Sequence, residues 1–232
     1  EVAQKFRGYA KGTQGHNSVL IDGKGQMPDT RVVDEPLSEI HWKITPEFDY
    51  AWNSFDKYFD VEGVKHNRTM MYVRDEFWVI VDKIETKIPR EIKTLWHWHP
   101  DCKIEVLKDG IVSTINDKGN LKVIPIKKST WVIDVIKGQE EPEIQGWYSE
   151  EYNKFESNDV VIHSTKIKRD KTFVWLLIPS VNEISELKAK LISENSKEII
   201  VKISNEQKGI WQLTIPFSNS YNARLNFNSI SK

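Results

Sequence analysis

Apolar and polar residues alternate in short runs along most of the chain, a pattern that is typical of half-buried β-strands. The clearest pair of runs, 69–73 and 77–82, flanks the charged turn Arg74-Asp75-Glu76 and predicts a hairpin. Three further pairs are predicted, at 110–115 with 121–126, 160–167 with 172–178, and 199–203 with 210–215. Short strands separated by polar turns indicate an all-β protein, and we predict a large antiparallel two-sheet β-sandwich.

Four segments depart from this simple alternation. Residues 1–14 predict an extended entry segment, residues 24–39 a long surface loop, and residues 95–106 a strand pair or one long bent strand. Apolar positions 184, 187 and 191 predict the one short helix of the fold, over 183–192. We expect 180–232 to add the last hairpin layer of the same sandwich, so that 1–232 forms a single domain.

Charge and composition narrow the classes of partner. The 232 residues carry 33 basic and 34 acidic side chains, so no global field favours nucleic acid or an anionic membrane. No apolar run reaches the roughly 18 residues that a membrane-spanning helix needs. The only cysteine, Cys102, has no partner for an intramolecular disulfide. Nine tryptophans predict a tryptophan-rich core, in which one or two exposed rings remain for stacking on sugars.

A histidine, His16, lies just before a predicted strand at 19–21 that ends in the turn signal Asp22-Gly23. Two interpretations are open for it. The ring either satisfies local backbone groups, or it serves as a metal ligand or acid–base group held by a rigid strand. No second ligand lies near it in the sequence.

A second histidine pair, His97 and His99, is spaced so that both rings face the same side of a predicted strand. Trp96 and Trp98 then share the opposite face. The pair could bind a metal if another strand supplied a third ligand, but the pattern equally describes a half-buried strand with one wet face. His66 and His163 are single histidines in strands, where a structural role is the simpler interpretation.

Three stretches carry a family resemblance. His16-Asn17-Ser18 with its apolar strand, Asp22-Gly23 and Gln26 is the first, the pair 66–69 and 79–82 is the second, and 146–152 is the third. In this order they resemble motifs of the heparinase II/III-like polysaccharide lyases, in the C-terminal β-sandwich domain. The resemblance covers residues 15 to about 180, and Ser18 departs mildly from the usual threonine.

The resemblance implies a super-sandwich fold and a missing N-terminal (α/α) toroid domain. The chain, which begins with Glu1, would then be a C-terminal fragment of a longer protein. Such lyases cleave uronic-acid glycans, heparin/heparan sulfate-like or alginate-like, by β-elimination. The implied partners are an acidic polysaccharide and the toroid, with no nucleic acid or membrane. The implied location is the bacterial periplasm or the extracellular space, and the fragment alone is expected to be inactive.

The resemblance also implies roles for individual residues. His16 matches a ligand of a structural zinc (or calcium) ion, whose other ligands lie further upstream, so we expect the fragment not to retain the metal. Tyr9 is the candidate catalytic residue, although the family tyrosine lies further back. Asn17 and Gln26 are expected to fix the turn, and no substrate-binding residue is identified.

An alternative function is a non-catalytic carbohydrate-binding or scaffolding module, since the chain lacks a self-contained catalytic set. The charged run Lys166 to Lys171 is open to two interpretations as well, a solvated turn or a local rim for an acidic sugar.

Overall fold

Three antiparallel sheets stack face to face, and the largest lies in the middle. The computed structural model describes residues 2–28, 37–127 and 129–230. The central sheet has eight strands in the order β2-β3-β4-β5-β14-β9-β8-β7. Their bounds are β2 Trp42–Ile44, β3 Phe48–Phe55, β4 Val64–Val73, β5 Phe77–Thr86, β7 Ile104–Val106, β8 Val112–Thr114, β9 Asn120–Pro125 and β14 Lys171–Ser180.

Two four-stranded sheets cover the central sheet, one on each face. The front sheet has the order β1-β6-β13-β10, with β1 Val19–Ile21, β6 Arg90–His97, β10 Val132–Lys137 and β13 Asp159–Ile167. The back sheet has the order β15-β16-β17-β18, with β15 Lys188–Glu194, β16 Glu198–Asn205, β17 Gly209–Pro216 and β18 Arg224–Ser229. A small ribbon pairs β11 Trp147–Tyr148 with β12 Glu156–Ser157.

Helical structure is limited in the described part of the chain. One α-helix, α1, spans Val2–Lys11, and short 3-10 helices cover Thr13–Gly15, Glu39–His41, Lys108–Gly110 and Ser220–Asn222. No helix among the described residues has the length and apolar character needed to cross a membrane.

The central sheet has an apolar core on each face. In β5, Val79 and Val81 pack against the back sheet, whereas Ile80 and Ile84 pack against the front sheet. The period-two alternation of a strand therefore serves two cores at once. The prediction of an all-β antiparallel sandwich is confirmed, and the structure adds a third layer to the two that were predicted.

The predicted hairpins around 74–76, 116–120 and 205–209 are confirmed by the pairing of β4 with β5, β8 with β9, and β16 with β17. The prediction of a hairpin around 168–171 is wrong. Strand β13 lies in the front sheet and β14 in the central sheet, so the chain changes layers at this turn. Val161 and Trp175 then meet across the core between the two sheets. Two apolar strand faces bury more apolar surface when they pack face to face than when the strands lie side by side in one sheet.

The predictions of an extended segment over residues 1–14 and of a helix over 183–192 are both wrong. Residues 2–11 form α1 because Phe6 and Tyr9, three positions apart, give it one buried side. Phe6 stacks on Phe155 with ring centroids 4.6 Å apart. Tertiary packing of this kind stabilises short helices that would be marginal alone.

The helix predicted over 183–192 is instead a connection followed by β15, which pairs with β16 from Lys188↔Ser204 onward. Ala189 and Leu191 pack against the core while their neighbours face solvent, so a period of two prevails over the apparent helical spacing. Within residues 180–230, β15 to β18 form the back sheet, which packs against the central sheet; that 1–232 is a single domain stays a prediction.

Two other predictions are changed or only partly covered. The segment 95–106 is not one strand, because β6 ends at His97 in the front sheet and β7 lies at the edge of the central sheet. Of the loop predicted at 24–39, residues 29–36 lie outside the described residues.

Candidate functional site

The stretch that contains His16 enters the front sheet at β1, which pairs with β6. Asp22 and Gly23 follow with φ of 51° and 73°, and Ile21 and Lys24 exchange both backbone hydrogen bonds. Two successive positive φ values define a tight type I′ turn, for which Asp-Gly is a preferred pair. The Asp22 carboxylate anchors this turn, because it accepts hydrogen bonds from Arg90 Nη1 at 2.7 Å and from the Glu91 N–H at 2.8 Å.

A groove of about 1340 Å³ lies between α1 and this first stretch, and both Tyr9 and His16 line it. Its apolar part includes Leu20, Met27 and Phe59, and its basic side chains are Lys5, Lys11 and Lys24. Lys5 pairs with Glu140 outside the lining, and Lys24 lies 3.8 Å from Asp60. Lys11 makes no ion pair within the described ranges, so a positive charge remains available in the groove that His16 also lines.

His97 lies close to His16, and its surroundings fix the ring. The Asn17 Oδ1 accepts from the His97 backbone N–H at 2.7 Å, and His97 Nε2 lies 3.0 Å from the Gln14 carbonyl oxygen. Burial lowers the pKa of His97 to about 4, although its hydrogen bonds to Gln14 and Gln145 favour the charged form. Nε2 donates to the Gln14 carbonyl oxygen, and Nδ1 lies 3.2 Å from Asn17 Oδ1, so both ring nitrogens are held.

Tyr9 is buried on α1, and its hydroxyl is fully engaged. It donates to Gln145 Oε1 at 3.0 Å and accepts from the Trp147 N–H at 3.3 Å. Burial raises the pKa of Tyr9, against hydrogen bonds from the Trp147 and Gly146 backbones. These contacts describe a tyrosine that joins the helix to the 146–152 turn, and its catalytic role stays a prediction.

The second motif forms a buried charged cluster on β4 and β5. Asp82 accepts from Arg68 Nε at 2.7 Å, from Arg68 Nη2 at 3.0 Å and from His66 Nε2 at 2.7 Å. Burial alone would raise the pKa of Asp82, but the charge of Arg68 and the hydrogen bonds from His66 and Arg68 hold it well below its usual range. Tyr58 completes the cluster, because its hydroxyl oxygen lies 3.1 Å from His66 Nδ1, and burial raises the pKa of Tyr58 to about 12.

These local clusters are connected to one another. Arg68 Nη1 donates to the Asn17 carbonyl oxygen, which joins the second motif to the first. The Gln14 carbonyl oxygen faces both His97 Nε2 and Gln145 Nε2, which joins the first motif to the turn at 146–152. The three motifs that lie far apart in the sequence therefore form one continuous polar network beside the groove.

No three histidine, cysteine, aspartate or glutamate side chains cluster to hold a metal in the described part of the chain. A closed zinc site needs four ligands. The described residues on their own do not fit such a site, and the role of His16 as a ligand stays a prediction.

The other histidines have different surroundings. Trp96 and Trp98 are both buried, as the predicted alternation requires, although the strand ends at His97. His99 lies beyond it, with its ring against Tyr148 at a centroid distance of 5.0 Å. His163 is fully buried, and its Nε2 donates to the Gly110 carbonyl oxygen at 2.7 Å. Burial lowers the pKa of His163. These surroundings are those of a structural histidine.

Sequence reasoning missed the roles of Arg68, Asp82 and Gln145. The signal for Asp82 was its position in the alternation of β5. It lies on the same side of the strand as Ile80 and Ile84, and therefore faces a core. A carboxylate at such a position needs a buried cation. The sequence gives no sign of a role for Gln145, because its partners are Tyr9 of α1, the Gln14 carbonyl oxygen and the Gly146 N–H.

The sequence matches a known protein family, and the fold is similar to that of solved structures. A family model described as heparinase II/III-like, C-terminal, matches residues 2–176. The fold is similar to heparan sulfate lyase HepC from Pedobacter heparinus, with a TM-score of 0.69 at 13% identity over 100% of this chain and 33% of that one. It is also similar to a heparinase III, with a TM-score of 0.68 at 15% identity over 92% of this chain and 31% of that one. The chain thus spans about one third of the length of these structures, and no curated protein matches its sequence.

Proposed function

The chain belongs to the heparinase II/III-like C-terminal family, and on this premise we propose that it is the β-sandwich of a polysaccharide lyase. The parent enzyme cleaves uronic-acid glycans, heparin/heparan sulfate-like or alginate-like, by β-elimination. An N-terminal (α/α) toroid supplies the rest of the active site, so the chain alone is inactive. We place the parent protein in the bacterial periplasm or outside the cell.

The chemistry of β-elimination sets the demands on such a groove. The C5 proton of a uronate is weakly acidic, so its carboxylate must first be neutralised by cations or hydrogen-bond donors. A base then removes the proton and an acid protonates the departing glycosidic oxygen. Lys11 and His16 line the groove, where they can meet a uronate carboxylate. The role of this chain is to form one wall of the cleft and to hold these groups in place.

The observation that carries the proposal is the convergence of the three family motifs in one network. Arg68 of the second motif bonds to Asn17 of the first. Gln145, which directly precedes the third motif, bonds to the Gln14 carbonyl oxygen, which His97 links to Asn17. The network holds the segment before His16 against the end of the front sheet. A purely incidental likeness of the motifs would give no reason for them to meet.

The test is an assay of the full-length protein on heparan sulfate, chondroitin, hyaluronan and alginate, with the unsaturated product followed by ultraviolet absorbance. We expect product from at least one glycan. No product from any of the four would argue against the proposal.

A matched pair of variants places this chain in the reaction. We expect His16→Ala to lower kcat/KM of the full-length enzyme about tenfold to a hundredfold, the range seen when support of a site is lost. The control is His41→Ala, because the His41 ring stacks on Trp52 away from the groove. This variant should change kcat/KM less than about twofold. Zinc content of both variants, measured by elemental analysis, tests the ligand prediction separately from activity. Equal activities of the two variants would remove His16 from the cleft.

A second candidate function, carbohydrate binding without catalysis, is favoured by one surface feature. Tyr72 and Trp78 stack with centroids 4.3 Å apart on adjacent strands, and Trp78 is 37% exposed. An exposed tryptophan that is backed by a half-buried tyrosine on a rigid sheet can stack against a sugar. Binding of the isolated chain on a glycan array that is lost in Trp78→Ala would support this function, and silence on the array favours a scaffold.

A further inference from the structure

A second concave surface lies where the chain passes from the front sheet to the central sheet. It is a groove of about 700 Å³ between the end of β13, the start of β14 and the segment before β10. A volume of this size is within the usual range for small-molecule and oligosaccharide sites. Its lining residues are Lys127, Ser129, Thr130, Thr165, Lys166, Ile167, Lys168, Arg169, Asp170 and Lys171, which we call the basic groove.

The charge of the basic groove is strongly positive although the whole chain has a formal net charge of −1. Among the described lining residues, five are cationic and one, Asp170, is acidic. Asp170 Oδ1 accepts a hydrogen bond from the Thr86 N–H at 2.7 Å, so this carboxylate serves the turn. A cluster of one sign in a concave surface focuses the electrostatic field on an anionic ligand.

Three of these cations have no carboxylate partner among the residues that the structure describes. Lys127 pairs with Glu194, and the charge of Lys171 helps to lower the pKa of the same glutamate. By contrast, the side chains of Lys166, Lys168 and Arg169 make no ion pair or hydrogen bond within the described ranges. All three are exposed, so their charges are available to a ligand.

The remaining lining groups suit a saccharide. Ser129, Thr130 and Thr165 bring three hydroxyl groups to the groove, and each can donate to or accept from a sugar hydroxyl. Arg169 presents the planar fork that matches carboxylate and sulfate oxygens in two bonds. An arrangement of cations with interspersed hydroxyls is what a sugar chain bearing acidic groups requires.

The basic groove lies at the opposite end of β6 and β13 from His97. In the register of β6 with β13, His97 is opposite Val160, whereas Arg90 is opposite Ile167 at the groove. Seven residues of extended strand separate these two levels by about 23 Å. A ligand in the basic groove therefore does not contact His97 or its partners.

From this placement and charge we propose that the basic groove is a binding site for an acidic oligosaccharide segment that carries sulfate or carboxylate groups. It rests on the proposed function, since it assigns the chain a second contact with the same class of substrate. The groove holds a part of the polysaccharide at a distance from the groove that His16 lines. Binding at two places on one polymer raises the effective concentration of substrate at each.

The test measures binding rather than cleavage, so its outcome is independent of the lyase assay. Heparin octasaccharide, unsulfated heparosan octasaccharide and single-stranded DNA of similar charge are titrated into the chain by calorimetry. The variant Lys166→Gln/Lys168→Gln/Arg169→Gln is expected to weaken binding of at least one saccharide on the order of tenfold, as three exposed charge contacts would. Comparison of the two saccharides shows whether sulfate or carboxylate carries the contact.

The control variant Lys188→Gln/Lys190→Gln/Lys202→Gln removes the same charge from the outer face of the back sheet, where all three lysines are exposed. It is expected to bind within about twofold of the unmodified chain, and thermal unfolding of both variants should be unchanged. Equal losses in the two variants, unchanged binding in the groove variant, or no saccharide binding by the chain would overturn the proposal. Binding of DNA as tight as that of the saccharides would identify a general polyanion surface and overturn it too.

Discussion

At the scale of single residues, the clearest constraint is the carboxylate of Asp82. It is fully buried, yet its hydrogen bonds to His66 and Arg68 supply both counter-charge and donors. A charge in the interior is tolerated only when it is paired in this way. The pairing also positions Arg68 to bond to the Asn17 carbonyl, so one buried ion pair orders the segment that carries the candidate site.

We predict that Asp82→Asn lowers the free energy of unfolding by about 3–5 kcal/mol, because Arg68, whose side chain is only 23% exposed, would lose its counter-ion and His66 would lose its charged acceptor. Chemical denaturation of the chain measures the loss. The matched control is Asp49→Asn, whose partner Arg74 donates from Nη2 at 2.6 Å but at the surface. This exposed pair is expected to contribute about 0–1 kcal/mol. Similar losses in the two variants would show that the Asp82 cluster has no special role.

At the scale of elements, the turn at Gly146 shows why its motif begins with glycine. Its φ is +78°, and a Cβ there would lie 2.8 Å from the Gly138 nitrogen and 2.9 Å from the carbonyl oxygens of Ile136 and Asn158. All three neighbours are backbone atoms held by the strands on either side. The turn that leads into β11 can therefore be built only with glycine at this position.

We predict that Gly146→Ala destabilises the chain by on the order of 3 kcal/mol or more, since strain at positive φ adds to a clash with fixed backbone. Gly119→Ala is the control, because Gly119 has a φ of +67° and open space around the Cβ position. It should cost about 1 kcal/mol, the strain alone. Urea unfolding of both variants measures the difference, and equal costs would contradict the close approach seen at Gly146.

At the scale of the whole molecule, the central sheet is shared by two cores. Ile92 of β6 lies in the core between the front and central sheets, and Leu213 of β17 lies in the core between the central and back sheets. Both side chains are fully buried. Because β5 contributes to both cores, loss of either one removes support from the same strands.

We predict that Ile92→Ala and Leu213→Ala each lower the free energy of unfolding by about 2–5 kcal/mol, as cavities in packed cores do. Each variant should still unfold in one transition, with fluorescence and circular dichroism coinciding. An independent, earlier transition in the Leu213→Ala variant would show that the back sheet unfolds as a separate unit.

The sequence by itself determined the fold class, three of the four predicted hairpins and the family. These depend on local signals, since alternation over 69–73 and 77–82 needs only neighbouring residues, and Asp22-Gly23 specifies its own turn. The three ordered motifs likewise identified the family that the match over residues 2–176 shows.

Only the tertiary structure decided how these pieces meet. The helix α1, the strand at β15 and the change of layer between β13 and β14 depend on what each segment packs against, and local pattern does not contain that information. The same holds for the polar network beside the groove, because the partners of Asp82 and Asn17 are brought together from strands far apart in the chain. Side chains acquire their pKa and their role from burial and neighbours, and both are properties of the folded molecule.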